Sequence, residues 1–191
     1  MNLESYCITP SFFSTLNPWD FKIALSRILR THHPTRACLR ATHASDTLLA
    51  CFVSTCQEFG VITYLNLAHL QISIQKALEH GFMGVHAKGS ALGELKIIPP
   101  TLSSFYSAHG VSEVQEALEE GAHFITLSPI FSTPNKPPPL GLDYFKTLSL
   151  ALKSHVFALG GITSQNRELL DNLNIRGFAG IQYFLNTIQT T

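Results

Sequence analysis

Two features of this chain can begin chemistry: a histidine beside a glycine, and a glycine pair. Ser107-Ala108-His109-Gly110 sets an imidazole just ahead of a helical stretch. An imidazole exchanges protons near neutral pH, so His109 can act as a general acid or base. A loop histidine that orders the following helix is the equally available reading. Gly160-Gly161 directly follows a short apolar run. Two glycines there let backbone amides approach a phosphate closely, or make a tight turn before a helix. Arg40, Asn66, Ser90, Ser107, Thr133, Asn135 and Lys136 also follow apolar runs, as do Lys88, Gly89 and Ser128, with Tyr183 and Phe184 near the end. Together they offer cations, hydroxyls and amides.

Carboxylates are scarce in the same places. No aspartate occurs between Asp46 and Asp143, and Glu94 is the one acid near the candidates. A divalent cation such as Mg²⁺ seeks carboxylate oxygens, so no metal is expected. Among nine histidines, His43, His86 and His109 could in principle hold zinc. No HxH or HxxxH pair supports that set, and His86 reads as a packed strand residue.

The candidates must be placed by the elements around them. Short β-branched or aromatic runs predict strands at Ser5–Thr9, Ala37–Ala41, Val61–Leu65, Phe82–His86, Leu102–Tyr106, Ala122–Leu127, Val156–Leu159 and Gly177–Ile181. Helical spacing predicts Trp19–Arg30, Thr47–Phe59 capped by Asp46, Leu70–His80 ended by Gly81, and a short Ala91–Ile97 stopped by Pro99 and Pro100. Further helices are expected from a Ser112 cap to Gly121, from an Asp143 cap to Leu152, over Gln165–Leu173 with Ser164 as cap, and over Gln182–Ile188. Ser128–Leu142 is too rich in proline for regular structure.

Eight strand–helix units with short connections and no composition break predict one α/β domain over residues 1–191, a small (β/α)₈ TIM barrel. An open doubly wound sheet fits less well, because Thr9-Pro10-Ser11 follows strand one where a glycine-rich turn belongs. In a barrel the site lies at the C-terminal strand ends, where the residues above fall.

Composition narrows the class. Of 191 residues 45% are hydrophobic and 14% charged, with 13 basic and 13 acidic side chains. That excludes a disordered chain. It also argues against a nucleic-acid or anionic-membrane partner, which needs a basic surface. Apolar runs are too short to span a bilayer, and Met1–Pro10 lacks the basic flank of a secretion signal. Cys7, Cys38, Cys51 and Cys56 show no framework spacing and read as reduced residues of a cytoplasmic protein.

The chain resembles the thiamine-phosphate synthase/TenI superfamily. Gly121–Gly141, GAHFITLSPIFSTPNKPPPLG, is similar to that family's GADY-hydrophobic-GPVF-x-T-x-TK-LG segment. Leu159–Ile162 (LGGI) matches IGGI, Ser107–His109 matches S-x-H after strand five, Cys38–Arg40 resembles QLR, and Leu65-Asn66 the start of IND. The departures point to the TenI branch. Thr42 replaces a lysine, Leu67 and Ala68 replace the acid and arginine of INDR, and His86-Ala87-Lys88-Gly89-Ser90 replaces HLGQ-x-D. Both family metal aspartates are thus missing, whereas Gly89-Ser90 matches the TenI pattern. Leu185 stands where the family has a serine after strand eight.

The resemblance implies a metal-independent thiazole tautomerase of thiamine biosynthesis, with no cofactor. His109 is the implied acid/base on a carboxythiazoline phosphate. Amides near Gly160, Gly161, Tyr183 and Phe184 would hold the phosphate. Lys136 or Arg40 would screen the carboxylate, with Asn66, Ser90, Ser107, Thr133 and Asn135 completing the substrate site. The alternatives are a divergent thiamine-phosphate synthase, which would use Mg²⁺, a non-catalytic thiazole-phosphate binder, and an unrelated phosphosugar isomerase. The implied partner is a small phosphorylated thiazole; a homodimer is compatible with the sequence.

Overall fold

The computed structural model describes residues 3–185. Eight parallel strands close in sequence order: β1 Glu4–Ile8, β2 Arg36–Arg40, β3 Ile62–Asn66, β4 Gly84–Ala87, β5 Ser103–Ala108, β6 Phe124–Leu127, β7 Val156–Ala158 and β8 Gly177–Gly180. Each pairs with the next, and β8 returns to β1 with Ser5 opposite Phe178. The expected (β/α)₈ barrel is therefore present.

Side chains alternate faces along a strand. One face of each strand packs outward against the helices, in a large apolar layer that includes Leu39, Leu65, Val85 and Ile125. The other fills the barrel with Tyr6, Ile8, Cys38, Tyr64, Phe105, Phe157 and Ala179.

The first three helices match their expected ranges closely: α1 Pro18–His32, α2 Asp46–Glu58 and α3 Leu70–His80. Asn17 caps α1 by accepting from the Asp20 amide, and Gly81 ends α3 in a left-handed conformation (φ 73°). Ser45, not Asp46, caps α2; its hydroxyl accepts from the Leu48 amide. Asp46 is instead engaged by Lys76 and His80 of α3.

Later connections depart further. A 3₁₀ helix spans Gly89–Ile97. α4, Val111–Glu119, starts after Gly110 with no side-chain cap, so Ser112 lies inside it. Glu113 instead reaches back to accept from the His109 amide (3.1 Å). The helix expected from Asp143 breaks into a 3₁₀ turn at Leu142–Thr147 and one α turn, α5 Leu150–Lys153. Leu148 is buried in extended conformation between them, and Ser149 caps the second piece. After β7 only a 3₁₀ turn at Arg167–Leu170 forms. There Asn166, not Ser164, ties the chain, bonding Thr163 N and Gly161 O. α6 covers Gln182–Leu185; the rest of the expected helix to Ile188 lies outside the described residues.

The four cysteines are free, and Cys7, Cys38 and Cys56 are buried. No helix among the described residues is long and apolar enough to cross a membrane.

At the N-terminal end of the barrel, Arg36 is buried. Its Nε donates to Glu4 (2.7 Å), its Nη1 donates to the Tyr64 hydroxyl (2.7 Å), and its guanidinium lies over Phe124 (4.4 Å). Arg176 pairs with the same Glu4. Arg36→Ala removes the charge-assisted hydrogen bond to Glu4 but leaves Glu4 paired with Arg176, and a bond of that kind is typically worth about 1.5–3 kcal/mol. Urea unfolding of the variant should show a loss of that size, with the pocket at the opposite end unaltered.

Candidate active site at the C-terminal mouth of the barrel

The inward-facing series of the strands continues upward into a cavity of about 520 Å³. Arg40, Asn66, Lys88, Ser107, Ser128, Leu159 and Ile181 each continue the barrel-filling face of a different strand into its wall. Gly89, His109, Pro129, Thr133, Lys136, Pro137 and Gly160 complete the lining.

His109 is held from one side. Its Nδ1 lies 2.8 Å from the Ser128 carbonyl oxygen. A carbonyl only accepts, so Nδ1 carries a proton, and in the neutral ring Nε2 is the basic nitrogen. Gly89 leaves room beside that edge: a Cβ there would stand 3.9 Å from Nε2 and 3.0 Å from the Ser107 carbonyl. The result is an imidazole whose orientation and tautomer are set by a backbone contact, as acid/base chemistry requires.

Ser107, two residues earlier, meets a second imidazole. His86 Nε2 is 2.9 Å from Ser107 Oγ, and His86 Nδ1 is 3.0 Å from the Tyr6 hydroxyl. His86 is fully enclosed. Burial, with Arg40 nearby adding to it, lowers its pKa from the ordinary 6.5 to about 3, so it is neutral at physiological pH.

The segment after β6 lies directly on the glycine pair. Ile130 N donates to Leu159 O and Phe131 N to Gly160 O (2.9 and 3.0 Å). Both glycines have left-handed φ, 97° and 66°. A Cβ at Gly160 would sit 2.9 Å from Pro129, and one at Gly161 2.5 Å from Ser132 O. The pair is thus required by backbone shape and close approach. Gly160 also faces the cavity. Among the described residues nothing accepts from the amides of Gly160 and Gly161.

Of the sequence candidates, the cavity gathers His109, Arg40, Asn66, Ser107, Thr133, Lys136 and Gly160. Five fall elsewhere. Ser90 lines a neighbouring cavity of about 420 Å³ with Glu94 and the start of α3, because the chain turns into a 3₁₀ helix at Gly89. Asn135 is exposed at a turn with φ 58°. Gly161 is covered by Phe131 and Ser132. The side chains of Tyr183 and Phe184 pack outside the barrel against Phe178 and His32. The Phe184 amide donates to Ile181 O, and Ile181 lines the cavity wall.

Leu159 and Ile181 carry no chemical signal, yet period-two counting from Phe157 and Ala179 places both inward. Pro129 and Pro137 had no signal at all. His43 is exposed and outside the cavity, and no group of three or more His, Cys, Asp or Glu side chains gathers among the described residues.

The lining also tests Mg²⁺. It offers Arg40, Lys88 and Lys136, neutral oxygens from serine, threonine and Asn66, and no carboxylate. Asn66 Oδ1 is buried without a partner. One amide oxygen among three cations does not fit a hard divalent ion.

A closed eight-stranded barrel with an imidazole, cations and hydroxyls around a cavity at its strand ends defines a (β/α)₈ protein with a candidate site at its C-terminal mouth. The thiamine monophosphate synthase family model matches residues 26–184. The chain belongs to this family, within the thiamine-phosphate synthase/TenI superfamily. It is 40% identical over 93 residues to "Putative thiamine-phosphate synthase 2" of Aquifex aeolicus, which covers 48% of this chain and 50% of that protein. It is 31% identical over 101 residues to the thiamine-phosphate synthase of Prochlorococcus marinus strain SARG, covering 52% of this chain and 28% of the other. These matches span half or less of the relatives' length. The fold resembles thiamine phosphate pyrophosphorylase from Pyrococcus furiosus, with a TM-score of 0.74 and 19% identity over 94% of this chain and 86% of that one.

The depressed pKa of His86 makes a pH prediction. Below about 6.5 the unfolded chain binds a proton there that the folded chain refuses. The stability tied to neutral His86 is full above pH 6.5 and is lost as pH falls towards 3. Urea midpoints of wild type and His86→Gln should therefore converge over that window, with a difference slope of up to about 1.4 kcal/mol per pH unit.

Proposed function

We propose that this chain is a metal-independent thiazole tautomerase acting on a carboxythiazoline phosphate. The observation that carries the reading is the His109 geometry: Nδ1 bonded to the Ser128 carbonyl, Nε2 free beside Gly89, in a wall of cations and hydroxyls without a carboxylate. Nε2 takes the proton from the ring carbon that bears the carboxylate. Arg40, Lys88 or Lys136 screens the charge that builds on that carboxylate, and Ser107 donates to it. The protonated imidazole then returns the proton to the exocyclic carbon. Aromatisation supplies the driving force, so the protein has only a proton-transfer barrier to lower. The free amide of Gly160, which faces the cavity, suits the phosphate.

A second reading is a thiamine-phosphate synthase that joins a pyrimidine pyrophosphate to thiazole phosphate. The names of the relatives favour it. The donor set at the strand ends speaks against its Mg²⁺-pyrophosphate step.

One assay separates them. Purified protein in chelator should aromatise the thiazoline, followed by ultraviolet absorbance, and His109→Ala should slow turnover by ~10²–10⁴-fold. Absence of turnover, with condensation of the pyrimidine and thiazole phosphates when Mg²⁺ is added, would overturn the proposal in favour of the synthase. Absence of both, with thiazole phosphate still bound, would indicate a binder.

A further inference from the structure

Below the pocket runs a hydrogen-bonded line that the acid/base reading leaves unused. Tyr6 is wholly buried, with its ring stacked on Phe105 at 4.2 Å and beside His86 at 5.7 Å. Its hydroxyl meets His86 Nδ1 at 3.0 Å, and the buried Cys38 thiol belongs to the same cluster, near enough to influence the phenol. His86 Nε2 meets Ser107 Oγ at 2.9 Å, and Ser107 opens into the cavity beside His109. Thr126 Oγ1 stands near both, at 3.5 Å from His86 Nε2 and 3.4 Å from Ser107 Oγ, and it also has the Tyr106 carbonyl to donate to (3.4 Å).

The line can run in two directions. In one, Ser107 donates to His86, His86 donates to Tyr6, and the phenol proton is left to the neighbouring thiol, a weak acceptor. In the other, the phenol donates to Nδ1, and Nε2–H donates to Ser107. The second direction gives the strong phenolic donor the strong imidazole acceptor and leaves the Ser107 proton to the cavity, with only the long 3.4 Å contact to Thr126 Oγ1 competing for it. Burial keeps the Tyr6 phenol protonated and His86 neutral, so neither end can reverse the line by titrating.

The geometry points to Tyr6 and His86 as positioning residues whose relay turns the Ser107 hydroxyl into a fixed hydrogen-bond donor aimed at an anionic oxygen of the substrate. Ser107 and His109 both line the cavity at the end of β5, so donor and base serve the same space. On the tautomerase reading, which this inference extends, the donor meets the carboxylate oxygen as charge develops there. Its proton stays on Ser107 throughout, and the one that moves passes through His109.

Two measurements on the full chain test this. The first is independent of turnover: ¹⁵N chemical shifts of the His86 ring should show the proton on Nε2 in wild type, with Nδ1 as acceptor. In Tyr6→Phe the ring should shift towards the Nδ1–H tautomer. The second is kinetic. Tyr6→Phe should lower kcat about tenfold with KM changed less than twofold, the size of one net hydrogen bond in the transition state. His86→Gln can accept from Tyr6 and donate to Ser107, and should keep most of kcat. His86→Leu should not, at comparable thermal stability.

An Nδ1–H tautomer in wild type overturns the relay whatever the kinetics show. So does unchanged kcat in both Tyr6→Phe and His86→Leu. A wild-type chain with Nε2–H but no thiazoline turnover upholds the relay and overturns the reaction assigned above.

Discussion

How the inside of this barrel is filled governs what its mouth can do. The strands are only three to six residues long, and Tyr6, Tyr64, Phe105 and Phe157 crowd into the narrow space they enclose. Rings of that size fit because small residues stand against them. A Cβ at Gly84 would lie 2.6 Å from the Tyr64 ring, and one at Gly177 2.7 Å from Phe157. The rings meet edge-on or stacked at 4.2–6.1 Å, a dense aromatic layer with little freedom. That layer separates the Glu4–Arg36–Arg176 cluster at one end from the cavity at the other. It also fixes the phenol oxygen on which His86 rests, so the polarity of the pocket floor is inherited from hydrophobic packing.

The charge pattern follows a similar economy. Arg40, Lys88 and Lys136 line the cavity without a carboxylate to neutralise them. Like charges facing one concave, partly dry site concentrate a positive field there and favour an anionic ligand. Arg40 also adds to the burial that keeps His86 neutral. The field that draws an anion in thereby preserves the uncharged imidazole beneath it.

The barrel and the outline of its site were legible because two signals survive in sequence. Apolar runs such as Tyr64-Leu65 or Ile125-Thr126-Leu127 mark strands, and the residues that follow them mark the mouth. Period two from Phe105 reaches Ser107 and His109, and all three face inward. The missing aspartates were plain as well. What stayed hidden depends on contacts between distant segments. Asp46 lost its cap to Ser45 because Lys76 and His80 claim its carboxylate. Asn166 closes its turn by bonding Gly161, which turns an expected helix into one 3₁₀ turn. Gly161 resembles a phosphate loop in sequence, yet Phe131 and Ser132 lie on it, a contact set 30 residues of chain away. Position after a strand does not say whether the side chains of Tyr183 and Phe184 turn in or out; packing against Phe178 and His32 turns them out.

The base of this site belongs to two strand–helix units at once. His109 follows β5, but the carbonyl that sets its tautomer is Ser128, which follows β6. The segment carrying Ser128 is seated in turn on the glycines after β7. Here a crossover between units five and six would deliver the histidine without the contact that orients it, and one between six and seven would deliver the contact without its support. The three units from Ser103 to Gly161 therefore orient the base as one block, while the opening pair of units supplies Tyr6 beneath the pocket and Arg40 in its wall.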